Sequence, residues 1–242
     1  MNTNTTPAWD ESDTAAFLRY ADVFVPRRAE QFRIVCALLR DLPHPSVLEL
    51  GCGDGALTET IIRQRPDIAV TAVDAAGTML AAARRRLADV PAHVRFVHAD
   101  LRDQHWRTGR YGAVVTSLAV HHLDDDAKRH LFGSVLEMLR PGGIYVQCDL
   151  IEPAAEVTRR VAAEQWDHLV EEQAATAPAG REAADAFHDS QWNTFRYPDP
   201  VDQPAPVSAQ LGWLAAAGFE GVDVCWAAAG HAVLAATRGT AG

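Results

Sequence analysis

No apolar run in this 242-residue chain approaches the roughly 18–20 residues a membrane-spanning helix requires, so no transmembrane segment is expected. Residues Met1 to Asp13 are polar and acidic and lack the apolar core of a secretory signal, which makes a loose N-terminus and a cytoplasmic location the expectation. The four cysteines, Cys36, Cys52, Cys148 and Cys225, stand far apart. No C-x-x-C pair suggests a zinc site and no spacing suggests a disulfide framework, so they read as small buried hydrophobes. Basic residues are also scarce: 22 Lys and Arg against 32 Asp and Glu leave a net charge of −10. A protein that grips phosphates along a nucleic acid clusters its cations, so a nucleic-acid partner is not expected. The one tight basic run, Arg84-Arg85-Arg86, falls beside Leu80 and Leu87 and reads as the wet face of a helix. No internal repeat of solenoid length is present.

The chain does carry enough apolar residues, 48%, for one full α/β domain with an insertion. Its organising stretch is Val47-Leu48-Glu49-Leu50-Gly51-Cys52-Gly53-Asp54-Gly55-Ala56-Leu57-Thr58. It reads as strand, glycine turn and helix start. Glycines allow φ > 0 and a close backbone approach to a ligand, and the following helix aims its N–H groups and positive dipole end at the same space. Gly51-x-Gly53-x-x-Ala56 satisfies a relaxed dinucleotide fingerprint; Glu49-x-Gly51-x-Gly53-x-Gly55 fits a second kind of nucleotide loop equally well.

Upstream, Ser12 or Asp13 is placed to cap a short helix carrying Phe17, Leu18 and Tyr20, and a second helix is expected over about 26–40. Tyr20, Phe24, Arg27 and Arg28 are candidates for a flap over the pocket, with an arginine on a carboxylate. Downstream, helices at about 55–64, 76–88 and 125–139 alternate with strands at 69–74, 94–97 and 111–118; a fifth strand is expected from Ile144, after Pro141-Gly142-Gly143. The strands are apolar without alternation, as in a parallel sheet covered on both faces. Asp74 ends one strand about 20 residues past the glycine loop, where a ribose would lie, and Asp100-Leu101 ends the next, suited to an adenine edge. His121 and His122 end the fourth strand, but no further ligand at suitable spacing accompanies them, so no metal is expected.

Residues 151–206 exceed what a crossover to the next strand needs. Helices at about 154–173 and 180–192 and a proline-rich run, Arg196 to Pro206, form a cap at the carboxyl edge of the fifth strand; Trp166, His168, Trp192, Phe195, Arg196 and Tyr197 belong to it. A helix at about 207–217, ended by Gly218, leads to strands at about 222–228 and 231–237, whose two-residue link Ala229-Gly230 implies an antiparallel hairpin. The implied parts are an N-terminal helical preamble (1–45), a Rossmann-like domain (46–150 and 207–242) and an inserted cap (151–206).

Five alternating strands and helices followed by a hairpin resemble the class I S-adenosylmethionine-dependent methyltransferases. The motifs that carry the resemblance are Glu49-Leu-Gly51-Cys-Gly53-Asp-Gly55, Asp74, Asp100-Leu101, Tyr111-Gly112-Ala113-Val114-Val115 and Leu139-Arg140-Pro141-Gly142-Gly143. The resemblance implies a seven-stranded Rossmann-like sheet and methyl transfer to a small molecule, with S-adenosylhomocysteine as product. It implies that Gly51 and Gly53 pass the methionine part of the donor, that Glu49 or Asp54 meets its ammonium, and that Asp74, with Ala75 beside it, holds the ribose. Met79 and Leu101 would flank adenine, Asp100 would take its amine, and Ser117, Leu118 and Ala119 would lie near the methionine end.

Displacement at a sulfonium methyl asks the protein mainly to align and desolvate, and needs a base only for an acceptor that holds its proton tightly. His122, Asp149, His168 and His231 are the candidate bases; Tyr20, Arg28, Trp166, Trp192 and Arg196 are the candidate substrate contacts. A tRNA-modifying enzyme and a donor-binding protein that transfers nothing are the alternatives on the same fold. A monomer or homodimer is expected.

Overall fold

Seven strands form one sheet in the order β3-β2-β1-β4-β5-β7-β6. The computed structural model describes residues 11–90 and 93–240, so the expectation for the first ten residues lies outside the described part. The first five strands are β1 (Ser46–Leu50), β2 (Ala69–Asp74), β3 (Val94–His98), β4 (Tyr111–Ser117) and β5 (Leu139–Leu150); they run parallel to their neighbours. Then β7 (His231–Thr237) enters antiparallel between β5 and β6 (Glu220–Ala228). The hairpin turn is tight because Ala229 and Gly230 both take positive φ, 49° and 70°, the pairing that matches strand twist. Chain order reverses between β1 and β4, which opens a crevice at their carboxyl ends.

Neighbouring residues on each strand face opposite ways. Val47, Ala113, Val115 and Val146 join the core beneath α2 (Arg28–Leu38), α3 (Ala56–Gln64) and α4 (Gly77–Arg86). Leu48, Leu50, Val114 and Tyr145 join the opposite core beneath α5 (Asp125–Met138) and α8 (Val207–Ala217). The α5 helix starts where Asp124 accepts from the Ala127 N–H at 2.8 Å, and it buries the stripe Leu131, Phe132, Val135 and Met138. The fifth strand begins earlier than expected. It pairs Leu139 with Tyr111, and the extra residues Arg140 to Gly143 are absorbed by a register shift in the ladder rather than by a loop.

A third core departs from the expected division of the chain. The first helix, α1 (Glu11–Phe24), sends Tyr20, Val23 and Phe24 into a cluster with Trp166, Val170, Ala183 and Phe187 from α6 (Glu156–Thr176) and α7 (Gly180–Asp189). The cap is therefore three helices, one drawn from the N-terminus, whereas α2 belongs to the sheet core. The helix already running at Ser12 and Asp13 makes neither residue its cap. Among the described residues, no helix is long and apolar enough to cross a membrane.

Candidate active site

The glycine turn after β1 takes its shape from two contacts. Gly51 sits at φ +64°, and a Cβ there would stand 2.3 Å from that of Ala119, so β1 and the end of β4 approach as only glycine permits. At Gly53, φ is +52° and nothing lies within 4 Å of where a Cβ would be: this side of the loop faces open space. The Gly53 N–H donates to Asp74 Oδ2 at 2.8 Å, and the Ala76 N–H donates to Oδ1 at 2.8 Å. The carboxylate at the end of β2 is thus aimed and tied to the loop. Burial raises its pKa and the two N–H groups oppose that shift.

A single cavity of about 750 Å³ extends from this loop to the cap. At the sheet end it is lined by Gly51, Gly53, Asp74, Ala75 and Met79, by Asp100 and Leu101, and by Ser117, Leu118 and Ala119. Leu118 itself sits at φ +53°, a strained backbone for a residue with a Cβ, where β4 turns into the short helical turn Val120–His122. At the cap end Trp166, Trp192, Thr194, Arg196 and Tyr197 line it, joined by Phe17 and Val25 from the N-terminal helix and the bend after it.

Several residues expected at the site stand elsewhere. Glu49 is 1% exposed and accepts from the Thr58 hydroxyl beneath the loop, where burial raises its pKa to about 8. Asp54 turns away to Arg86, with Arg28 at 3.7 Å on its other side. Neither lines the cavity. Arg28 also pairs with Asp22 at 2.9 Å and lies over the Phe17 and Phe32 rings. Tyr20 and Phe24 stack on each other inside the cap core, and Arg27 pairs with Glu172 at 2.5 Å. The four residues expected as a flap are therefore held in packing and ion pairs away from the cavity, and Phe17 and Val25 are what reach it from that side. His168 is exposed on α6 and does not line the cavity.

Asp149 is 1% exposed and fully engaged. Its Oδ2 accepts from the Val120 and His121 N–H groups at 2.9 and 3.1 Å, and its Oδ1 accepts from His121 Nδ1 at 2.5 Å and the Leu150 N–H at 2.9 Å. It is the anchor of His121, and it does not line the cavity. His121 Nε2 faces Asp202 Oδ1 at 3.4 Å, and His122 Nδ1 faces the same oxygen at 3.3 Å. Burial disfavours charge on His121, but Asp149 and Asp202 outweigh it and raise its pKa to about 10. The Asp202 carboxyl feels the same burial and is nevertheless held well below the usual range by the two histidines. Burial and the His121 charge push His122 down. His231, 1% exposed at the cavity wall, donates from Nδ1 to the Ala229 carbonyl at 2.9 Å, and burial lowers its pKa to about 4.

Among the described residues, His121, His122 and Asp202 are the three groups close enough, within 4.8 Å, to hold a metal ion, a grouping that sequence spacing did not foresee. His121 Nδ1 is committed to Asp149, which leaves its Nε2, His122 Nδ1 and one Asp202 oxygen facing one another. Asp202 comes from the proline-rich run, and its position is set from two sides: the Gln203 N–H donates to the His121 carbonyl at 2.7 Å, and buried Lys128 donates to the Leu123 and Gln203 carbonyls.

A methyltransferase-domain family model matches residues 47–143, the glycine loop through the start of β5. The trans-aconitate 2-methyltransferase of Yersinia pestis is 30% identical over 216 residues, covering 82% of this chain and 78% of that protein. The chain belongs to the class I S-adenosylmethionine-dependent methyltransferases. An uncharacterised methyltransferase of Mycobacterium tuberculosis is 33% identical over 108 residues, 45% of this chain and 52% of that protein, so the match spans about half the length of that relative. Among solved structures of this methyltransferase fold, an O-methyltransferase family protein from Burkholderia thailandensis superposes with a TM-score of 0.69 at 19% identity, covering 96% of this chain and 61% of that one. Human N-acetylserotonin methyltransferase, in complex with S-adenosylmethionine, superposes at 0.62 with 16% identity, covering 96% and 57%. In this family member the family model spans the sheet end of the cavity, and α1, α6 and α7 pack together at the other end.

Proposed function

We propose that this protein transfers a methyl group from S-adenosylmethionine to a small-molecule acceptor held under the cap. The observation that carries the reading is the continuity of one cavity from the Gly53–Asp74 hydrogen bond to the cap aromatics. The residues at the sheet end suit the donor: Gly53 leaves room for it, and the Asp74 carboxylate stands where ribose hydroxyls are held in this fold. When bound, S-adenosylmethionine supplies a methyl on a sulfonium leaving group to an in-line nucleophile. The chain's own part is to align and to exclude water. Among the described residues, four carboxylates line the cavity, those of Asp74, Asp100, Asp199 and Asp202, against the two guanidiniums of Arg102 and Arg196. Such a balance favours a cationic donor and opposes nucleic acid.

The name of the Yersinia relatives suggests a polycarboxylate acceptor for this chain as well. The pairing of the cavity's cations speaks against it. Calorimetry with S-adenosylmethionine and S-adenosylhomocysteine, followed by transfer of labelled methyl to a panel of acceptors, tests the proposal. Binding of both with methylated product supports it, and an absence of binding by either overturns it.

A further inference from the structure

We infer, resting on the methyl-transfer reading above, that the acceptor is a flat, uncharged aromatic compound bearing a hydroxyl or amino donor, and that this cavity rejects polycarboxylates. One wall at the cap end is apolar. Phe17 and Trp192 lie nearly parallel, with ring centroids 6.3 Å apart and 19° between planes. Trp166 stands edge-on to His231 at 4.6 Å, its indole N–H already donated to the Phe24 carbonyl at 2.7 Å, so it offers the cavity only ring surface. Leu118 and Leu150 complete this wall. Aromatic surfaces of this kind favour flat partners in offset or edge contact.

Charge decides against the other class. A di- or tricarboxylate needs cations whose own carboxylates do not already hold them, because desolvating it against paired or negative groups is costly. Among the described residues lining the cavity, each fixed cation is engaged. Arg196 Nε donates to Asp167 Oδ2 at 2.6 Å. Arg102 donates to the His122 carbonyl at 2.8 Å and lies 3.5 Å from Asp100. His121 sits between Asp149 and Asp202, with a carboxylate facing each ring nitrogen. The two remaining histidines of the wall, His122 and His231, are held neutral by burial. The polar side of the cap end presents Asp199, suited to accept from a hydroxyl or amine, together with Asp202, which His121 and His122 already hold.

The test uses the full-length protein saturated with S-adenosylhomocysteine, whose own binding is measured first. If that product does not bind, the methyl-transfer reading fails by itself. If it binds, titration with 2-naphthol and with trans-aconitate is expected to favour the naphthol by about tenfold or more, each tenfold being about 1.4 kcal/mol. Trp192→Ala is expected to weaken naphthol binding about tenfold while leaving S-adenosylhomocysteine binding within about twofold, and Trp192→Phe to restore most of the loss, which separates wall contact from misfolding. Asp167→Asn, which leaves Arg196 without its carboxylate, is expected to raise trans-aconitate affinity about tenfold. Tighter binding of trans-aconitate than of naphthol to the unaltered protein, no binding of naphthol, or loss of both ligands equally in Trp192→Ala overturns the inference. An unchanged trans-aconitate affinity in Asp167→Asn overturns its electrostatic half.

Discussion

Asp149 holds His121 Nδ1 at 2.5 Å while also accepting the backbone N–H groups of Val120 and His121 just past the end of β4, so one buried carboxylate fixes both the ring and the turn that carries it. The Nε2 edge is thereby turned toward Asp202 and the cavity. Asp149→Ala takes the acceptor from three backbone donors, those of Val120, His121 and Leu150, and leaves His121 with Asp202 as its one facing carboxylate. Removing one member of a buried ion pair costs about 3–5 kcal/mol, and urea unfolding of the variant is expected to read a loss of that order. A loss below about 1 kcal/mol would mean that the pairing is not what holds the turn.

The two buried histidines of this wall respond to pH in opposite senses. His121 is raised from 6.5 to about 10 on folding. Its contribution is present in full below about 6.5 and is lost as pH rises through 10. His231 is lowered from 6.5 to about 4, so its contribution is present above 6.5 and is lost as pH falls through 4. Unfolding free energy is expected to decline on both sides of neutrality. His231→Gln is expected to flatten the acid limb alone, and histidine ring NMR is expected to find His121 still protonated at pH of about 8.

Asp74 joins the glycine turn to the start of α4 by accepting from Gly53 and Ala76. Asp74→Ala removes the charged acceptor, and hydrogen bonds to charged groups are worth about 1.5–3 kcal/mol. S-adenosylmethionine affinity, measured by calorimetry, is expected to fall by that amount, with Asp74→Asn in between. Glu49→Gln, behind the loop, is expected to leave that affinity nearly intact, because Glu49 faces Thr58 and not the cavity.

Gly51→Ala tests the close approach of β1 and β4. The new Cβ would meet Ala119 at 2.3 Å on a backbone at φ +64°. A residue forced into such a conformation costs about 1–3 kcal/mol before the clash is counted. Both thermal stability and donor binding are expected to fall together; loss of binding at unchanged stability would place the effect in the ligand contact alone.

Lys128 is completely buried and donates to the Leu123 and Gln203 carbonyls, which ties the segment carrying Asp202 to the start of α5. Lys128→Met is expected to leave those carbonyls unanswered at about 1–3 kcal/mol and to raise hydrogen exchange in residues 199–206. Exchange unchanged there would show that the Gln203 N–H bond to His121 suffices.

Much of the architecture is legible along the chain because it follows from local rules. An unbroken apolar run such as Ala113-Val114-Val115 suits a strand covered on both faces, and Ala229-Gly230 leaves room for nothing longer than a hairpin turn. Gly51, Gly53 and Asp74 stand out for the same reason: a turn that needs positive φ, and an acid at a strand end a fixed distance on. The cap was legible as a surplus of 151–206 over a crossover, but not in its composition. Nothing local tells Phe24 to pack on Phe187 or Arg28 to leave the cavity for Asp22 and Asp54.

The sequence by itself determined the strand and helix order, the glycine turn and the acid that faces it, because each depends on backbone conformations set within a few residues. Only the tertiary structure decided which titratable groups meet. Asp149 stands 28 positions from His121 and 53 from Asp202, and their charges are set by burial and by one another, two quantities that exist only once the chain is folded.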